Sequence, residues 1–348
     1  MKKTDTKMSL PSSLSKGEGR GEVNWGIIGC GDVTEVKSGP AFSKTEHSSL
    51  VAVMRRDAAK AADYARRHHV PRWYDNATQL IHDPEVNAVY VATPPDTHAR
   101  YAIEAMQAGK PVYVEKPMAR NYAECIEMIR VSEETGMPLF VAYYRRSMAL
   151  FLKVKALVEQ GLIGKPLTVN ICLYKEATEQ GLPPKQLPWH VIPEIAGAGH
   201  FYDLASHQLD FLDFLFGPIQ KVYGIAQNLG GLYPAEDTVT ACFSFENGVT
   251  GTGSWCFVAD KSSEEDLIEL FGTEGSLRFA CFNPFKLIMK RNDGTIEFDF
   301  PKPEHVGGGL IEQVVDELRG VGKSPSTGVS GARTNWVMEE IVRSYYSF

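Results

Sequence analysis

Continuous apolar runs of strand length alternate with amphipathic segments in the first part of the chain, and in the second part such runs follow one another. Residues 24–28, 50–54, 88–92, 112–114 and 139–142 form the first set of runs. Between them, residues 58–68, 98–108 and 122–135 space their apolar side chains as helices do. Two of these segments close on Gly109 and Gly136, with Pro111 and Pro138 shortly after, a usual helix stop. Strand and helix in alternation predict a doubly wound parallel sheet, the architecture of a Rossmann domain.

After a further helical segment at 149–160 the pattern changes. Runs at 167–174, 221–227, 238–245, 249–257, 266–271, 276–281, 285–290 and 295–300 succeed one another with partial alternation. Asn247-Gly248 and Asp293-Gly294 separate neighbouring runs and tolerate the positive φ of tight hairpins. This half is expected to form a large, mainly antiparallel open sheet in an α+β domain. A strongly helical segment at 201–216 interrupts it, and helices are expected at 311–319 and 335–345. The division read from the pattern is a disordered tail over 1–22, a Rossmann-type domain over 23–146, and a second domain over 147–348.

Composition narrows the choices. A chain of 348 residues exceeds the roughly 250–300 residues at which one core stops growing. With 43% hydrophobic residues, 23% charged residues and a net charge of −7, nothing basic is available to follow a phosphate backbone, so nucleic acid is excluded as a partner. The six cysteines are scattered without zinc-like spacing, and read as reduced thiols. No stretch has the length and apolarity of a membrane span or the core of a signal peptide. A cytoplasmic location is expected.

Gly29-Cys30-Gly31 directly follows the first strand, and Asp32 and Val33 open the next helix. The first glycine permits the tight turn. The second lets backbone approach a pyrophosphate, which the helix N-terminus then receives. Thr34 stands where this fingerprint usually has a third small residue. At the end of the second strand, where NAD-binding chains usually carry an acid for the ribose 2′-hydroxyl, stand Arg55 and Arg56. Guanidinium groups pair with a 2′-phosphate, so NADP is preferred over NAD, although Asp57 is also within reach of a ribose. Thr93, Pro94, Pro95 and His98, then Glu115, Lys116 and Pro117, fall at carboxyl ends of parallel strands, where ligands of such sheets bind.

These segments, with Gly197-Ala198-Gly199-His200-Phe201-Tyr202-Asp203-Leu204-Ala205-Ser206-His207-Gln208-Leu209-Asp210, resemble the glucose-fructose oxidoreductase, inositol dehydrogenase and rhizopine-catabolism (Gfo/Idh/MocA) family. The resemblance runs from Val23 to near the C-terminus. It implies that Lys116, Asp203 and His207 meet at the substrate carbon beside the nicotinamide. Asp203 and His207 are four residues apart, hence on one helix face, and an imidazole is a natural acceptor for a hydroxyl proton. Taken without the motif, the same pair reads as a surface ion pair on the helix. No metal site is expected, because His200, Asp203 and His207 have no further ligand cluster at suitable spacing.

Trp189 and His190, in a Pro-rich loop, and Arg145 and Arg146, at the domain junction, are candidate substrate contacts. The activity implied by the resemblance is hydride transfer between NAD(P) and a secondary alcohol of a sugar, sugar derivative or polyol. The alternatives are a dihydrodiol dehydrogenase-like activity or a non-catalytic NAD(P)-binding sensor. A homodimer or homotetramer is expected to form through the second sheet, where Thr238, Thr240, Cys242, Ser244, Thr250, Thr252 and Ser254 present a small, weakly charged face.

Overall fold

The computed structural model describes residues 21–346. The tail expected over 1–22 therefore lies outside the described residues as far as residue 20. Strands β1 (Val23–Ile28), β2 (Ser48–Met54), β3 (Arg72–Tyr74), β4 (Ala88–Val91), β5 (Val112–Val114) and β6 (Leu139–Val141) form one parallel sheet in the order β3-β2-β1-β4-β5-β6. The order reverses between β1 and β4, which opens a crevice at their carboxyl ends. Residues such as Ile27, Ala88, Val89, Val112 and Val114 are fully buried because helices cover both faces.

The second sheet contains β7 (Pro166–Glu176), β8 (Ile219–Gln227), β9 (Thr238–Phe245), β10 (Thr250–Ala259), β11 (Glu265–Gly272), β12 (Gly275–Phe279), β13 (Lys286–Arg291) and β14 (Gly294–Asp299). Its order is β14-β13-β12-β11-β7-β10-β9-β8, antiparallel throughout except for the β7–β10 pair. One face is covered by the His200–Phe216 helix. Trp255 of β10 lies edge-on to Phe201 at 5.0 Å and donates its indole N–H to Gln208 at 2.7 Å. The side chain fits only because Gly253 precedes it, since a Cβ there would lie 2.0 Å from the indole ring. The other face is open: Thr240, Cys242, Thr250 and Thr252 are exposed, and on edge strand β8 Tyr223 and Ile225 are 71% and 65% exposed.

The C-terminal helices begin earlier than their apolar spacing suggests. They run Gly308–Leu318 and Gly328–Val342, the latter starting where Thr327 and Ser330 form a reciprocal capping box. The first returns to the first sheet, whereas the second sets its opening turn against β6 and packs Val337, Met338, Ile341 and Val342 into the core of the second sheet. Leu310, Ile311, Val314 and Val315 share a core with Trp25, Phe42, Tyr90 and Tyr113, so a cut at residue 146 leaves this core without one of its walls. Among the described residues no helix is long and apolar enough to cross a membrane.

The junction between the two sheets is a short turn, Tyr144–Ser147. From it Arg146 enters the interior, where its Nε and Nη2 each donate at 2.8 Å to the two carboxylate oxygens of Asp210. Nη2 also reaches Asp213 at 3.1 Å, and Asp213 accepts two further bonds at 2.7 Å from Arg333 of the last helix. Removing one member of such a buried network strands its partners, at a cost of about 3–5 kcal/mol. Arg146→Met is expected to lower the unfolding free energy by about that amount in urea titration. A loss below about 1 kcal/mol would mean that the aspartates are satisfied without it.

Candidate active site

The crevice at the carboxyl end of the first sheet is a cavity of about 840 Å³, walled on its far side by the His200–Phe216 helix. Its floor is the turn after β1. Gly29 has φ of +95°, and a Cβ there would lie 2.9 Å from the backbone of Ala92. Gly31 differs: a Cβ would meet nothing closer than 3.9 Å, because this position borders the open cavity. Backbone is thus bare at this edge of the cavity, where the helix beginning at Asp32 starts. Thr34 replaces the usual small residue without disturbing the turn, since its buried hydroxyl donates back to the carbonyl of Gly31 at 2.8 Å.

Arg55, Arg56, Asp57 and Lys60 line the end of the cavity beyond β2. Arg55 is steered by a 3.2 Å bond to the carbonyl of Cys30. Asp57, a rival ribose contact, instead caps the next helix by accepting from the Lys60 N–H at 3.1 Å. This wall is therefore dominated by cationic groups.

At the other end, Lys116 follows β5 and forms a short ion pair with Asp203 on the His200–Phe216 helix, and it also donates to the Asp203 carbonyl at 3.1 Å. Burial alone would push the Lys116 ammonium down, but the Asp203 and Glu115 carboxylates outweigh it and hold the ammonium above its ordinary value. Burial likewise raises the Asp203 carboxyl, and Lys116 and then His190 overcome this and bring it to about 2. Both groups of the pair are charged. His207, one turn further along the same helix, is held well below its ordinary value by burial and then by the positive fields of Arg145, Lys116 and Lys37. Its ring is buried among Tyr143, Tyr144 and Phe282, with centroids 5.0 to 6.1 Å away. The surface ion pair that Asp203 and His207 suggest without the motif is not among the ion pairs of the described residues. Asp203 turns to Lys116 instead.

Of the other sequence candidates, Asp32, Val33, Thr93, Pro94, Glu115, Trp189 and His190 line the cavity. Trp189 and His190 stack at 3.7 Å on its wall. Pro95 and His98 do not line it. His98 is wholly buried between two loops, its ring nitrogens 2.7 Å from the Thr93 carbonyl and 3.0 Å from that of Pro117, so it braces the cavity rim from behind. Glu115 reaches the cavity, yet its carboxylate takes a short bond from the Tyr90 hydroxyl, and burial raises its proton affinity. Arg145 and Arg146 are corrections too, for both are buried away from the lining. Arg146 joins the aspartate network, and Arg145 donates to the Cys281 carbonyl at 3.0 Å while lying over the Phe282 ring. The residue that the same turn does aim into the cleft is Tyr144, unchosen because its arginine neighbours carry the more conspicuous chemistry. Among the described residues no cluster suited to a metal ion occurs.

A parallel sheet with the Gly29–Gly31 turn at its switch point, facing a helix that carries Asp203 and His207, defines a two-domain oxidoreductase with a dinucleotide cleft. Family models agree. Residues 23–143 match the oxidoreductase family with NAD-binding Rossmann fold, and residues 151–278 match the GFO/IDH/MocA C-terminal domain. The chain belongs to the Gfo/Idh/MocA oxidoreductases. It is 37% identical to oxidoreductase P35 of Formosa agariphila over 91% of this chain and 97% of that one. It is also 29% identical to a 1,5-anhydro-D-fructose reductase of Ensifer adhaerens (73% and 74% covered), and 27% identical to trans-1,2-dihydrobenzene-1,2-diol dehydrogenase of Sus scrofa (82% of each). Among solved structures, a levoglucosan dehydrogenase in complex with NADH and levoglucosan shares the fold, with TM-score 0.82, 23% identity and 93% and 97% coverage.

The contrast between the two glycines is testable. Gly31→Ala is expected to leave the thermal midpoint of the cofactor-free protein unchanged and to weaken NADH binding by about tenfold or more in fluorescence titration, through overpacking. Gly29→Ala should lower both, because its backbone conformation excludes a Cβ. Equal behaviour of the two variants would remove the pyrophosphate assignment.

Proposed function

We propose that this protein oxidises or reduces a ring carbon bearing a secondary alcohol, in a sugar, sugar derivative or polyol, with NADP preferred to NAD. The observation that carries the reading is the convergence of a charged Lys116–Asp203 pair and a neutral, buried His207 on one wall of the dinucleotide cleft. A bound nicotinamide supplies the hydride acceptor or donor. Lys116 then donates a hydrogen bond to the substrate oxygen and stabilises developing alkoxide charge. Asp203 keeps Lys116 ionised and in place. His207, a neutral imidazole at neutral pH, takes the hydroxyl proton on its free ring nitrogen in oxidation and returns it in reduction. The Trp189–His190 stack offers a flat face to a sugar ring. The anhydrofructose reductase relative supports a sugar, and the dihydrodiol dehydrogenase relative supports a cyclic diol, for which Leu204 and Phe282 supply apolar wall. A cyclic compound with adjacent hydroxyls satisfies both.

The direct test is reduced-nicotinamide absorbance with a panel of aldoses, polyols and aromatic dihydrodiols, each run with NAD and NADP. Tight cofactor binding without turnover on any of them would favour a sensor. His207→Ala is expected to lower kcat by about a hundred- to ten-thousandfold while the cofactor dissociation constant stays within a few-fold. Because burial and three cations depress His207, its basic form persists below pH 6.5, so kcat/KM for oxidation should stay level from pH 8 down through 6.5 and fall only in more acid solution. An acid limb centred above 6.5, or single-turnover hydride transfer by His207→Ala at the wild-type rate, would displace His207 from this role.

Cofactor choice is decided separately. Arg55→Asp should weaken NADP far more than NAD, since it exchanges a phosphate partner for a repelling carboxylate. Equal losses for the two cofactors would leave Arg55 a support for the Cys30 carbonyl and nothing more.

A further inference from the structure

Beside the cleft lies a second cavity of about 350 Å³, inside the size range of small-molecule sites. His190, Asp203 and Leu204 border both spaces, so the cleft and the second cavity adjoin. The wall of this annex is built around Glu179, which is 2% exposed. One of its carboxylate oxygens accepts from Thr178 at 2.7 Å and lies 3.1 Å from the His200 imidazole. The other, Oε2, is buried and has no partner among the described residues. Thr178 and His200 together outweigh burial and keep the carboxyl below its ordinary value, so Glu179 presents an anionic acceptor. His200 is held in turn between the Phe257 ring at 5.6 Å and the His190 ring at 6.4 Å. The buried Tyr233 hydroxyl, edge-on to His200, likewise has no partner among the described residues.

An ionised, buried carboxylate oxygen left without a donor is costly, and the contacts of Glu179 with Thr178 and His200 occupy only its other oxygen. Its chemistry does select a ligand. A carboxylate only accepts hydrogen bonds, so the incoming group must be a donor. With Glu176, Glu179 and Asp203 on the wall against Lys175, an anionic substituent is repelled. Aromatic and imidazole faces flanking an acceptor suit a hydroxylated ring better than an ammonium chain.

We infer that this annex is a second substrate subsite, in which Glu179 accepts a hydroxyl from a polyhydroxylated substituent, such as the second ring of a disaccharide or glycoside, attached to the ring that reacts. The inference rests on the dehydrogenase reading of the adjoining cleft and adds that the substrate is larger than one sugar unit. Glu179 is a specificity residue and touches no reacting atom.

The probes are glucose, galactose and mannose, each compared with its methyl glycoside and with a disaccharide that carries it at the non-reducing end. Binding is measured by calorimetry on the NADPH-loaded protein, and oxidation is followed with NADP. In the wild type at least one disaccharide should bind about tenfold or more tightly than its monosaccharide, the expected effect of one hydrogen bond to a charged acceptor. Glu179→Gln keeps the shape and should erase most of that gain, raising KM for the disaccharide far more than for the monosaccharide. Thr178→Val, a change at an exposed position that frees Glu179, should reduce the gain part of the way even where the buried substitution impairs folding. No disaccharide gain in the wild type, or a gain that survives in Glu179→Gln, overturns the subsite. A gain restricted to amino sugars overturns the hydroxyl assignment. Glu179-dependent disaccharide binding without oxidation of any probe overturns the dehydrogenase reading and leaves the subsite standing.

Discussion

The buried Arg146 guanidinium, shared between Asp210 and Asp213, sets the position of the helix on which the site is built. Arg146 leaves the chain just after the last strand of the first sheet, and its aspartates lie on the helix that covers the second. The network therefore ties the catalytic-helix candidate to the junction. Arg333 extends it to the helix returning to the first domain. Ion pairs of this kind add little net stability over apolar packing, but they allow few alternative arrangements, since any slip strands a buried charge. With the lower half of the helix fixed in this way, Asp203, two turns closer to its N-terminus, meets Lys116 coming from β5. The Trp255–Gln208 bond holds the same helix against the sheet from its other side.

Most of the fold is legible in the chain because its signals are periodic and long. Alternation of strand and helix specifies the parallel sheet, and hairpin dipeptides at Asn247-Gly248 and Asp293-Gly294 mark the antiparallel one. What escapes is short or depends on distant partners. Strand β3 has three residues and no apolar run, and is held by pairing with β2. The parallel β7–β10 pair joins strands far apart in sequence, and no local pattern announces it. The last helix starts at Gly328 because of a cap, while its first turn, packed under β6, looks too rich in glycine and serine to be helical.

The site divides along similar lines. Gly29 and Gly31 follow from a motif of local spacing, Lys116, Asp203 and His207 from the family resemblance, and all five line one cavity. Arg145, Arg146 and His98 mislead because a charged or titratable side chain near a cleft suggests a ligand contact, whereas each is claimed by interior carboxylates or carbonyls that only the folded chain brings near. Glu179 is silent for the opposite reason. It sits in a loop between β7 and the site helix, and its significance comes from burial and an unmatched oxygen, neither of which is a property of sequence.

Electrostatics gives the arrangement its internal logic. Two titratable groups of ordinarily different affinity, an ammonium and an imidazole, are pushed further apart: Lys116 is held charged by carboxylates on either side, while His207 is held neutral by burial and by cations that include Lys116 itself. Each group's state reinforces the other's, because the positive charge on Lys116 disfavours a second proton on His207. Separating affinities in this way places a charged hydrogen-bond donor and a neutral imidazole within one small space, the pairing on which the proposed proton transfer relies. A change that neutralises Asp203 acts on both at once, since it removes the partner that keeps Lys116 charged, and with it part of the field that keeps His207 free to accept a proton.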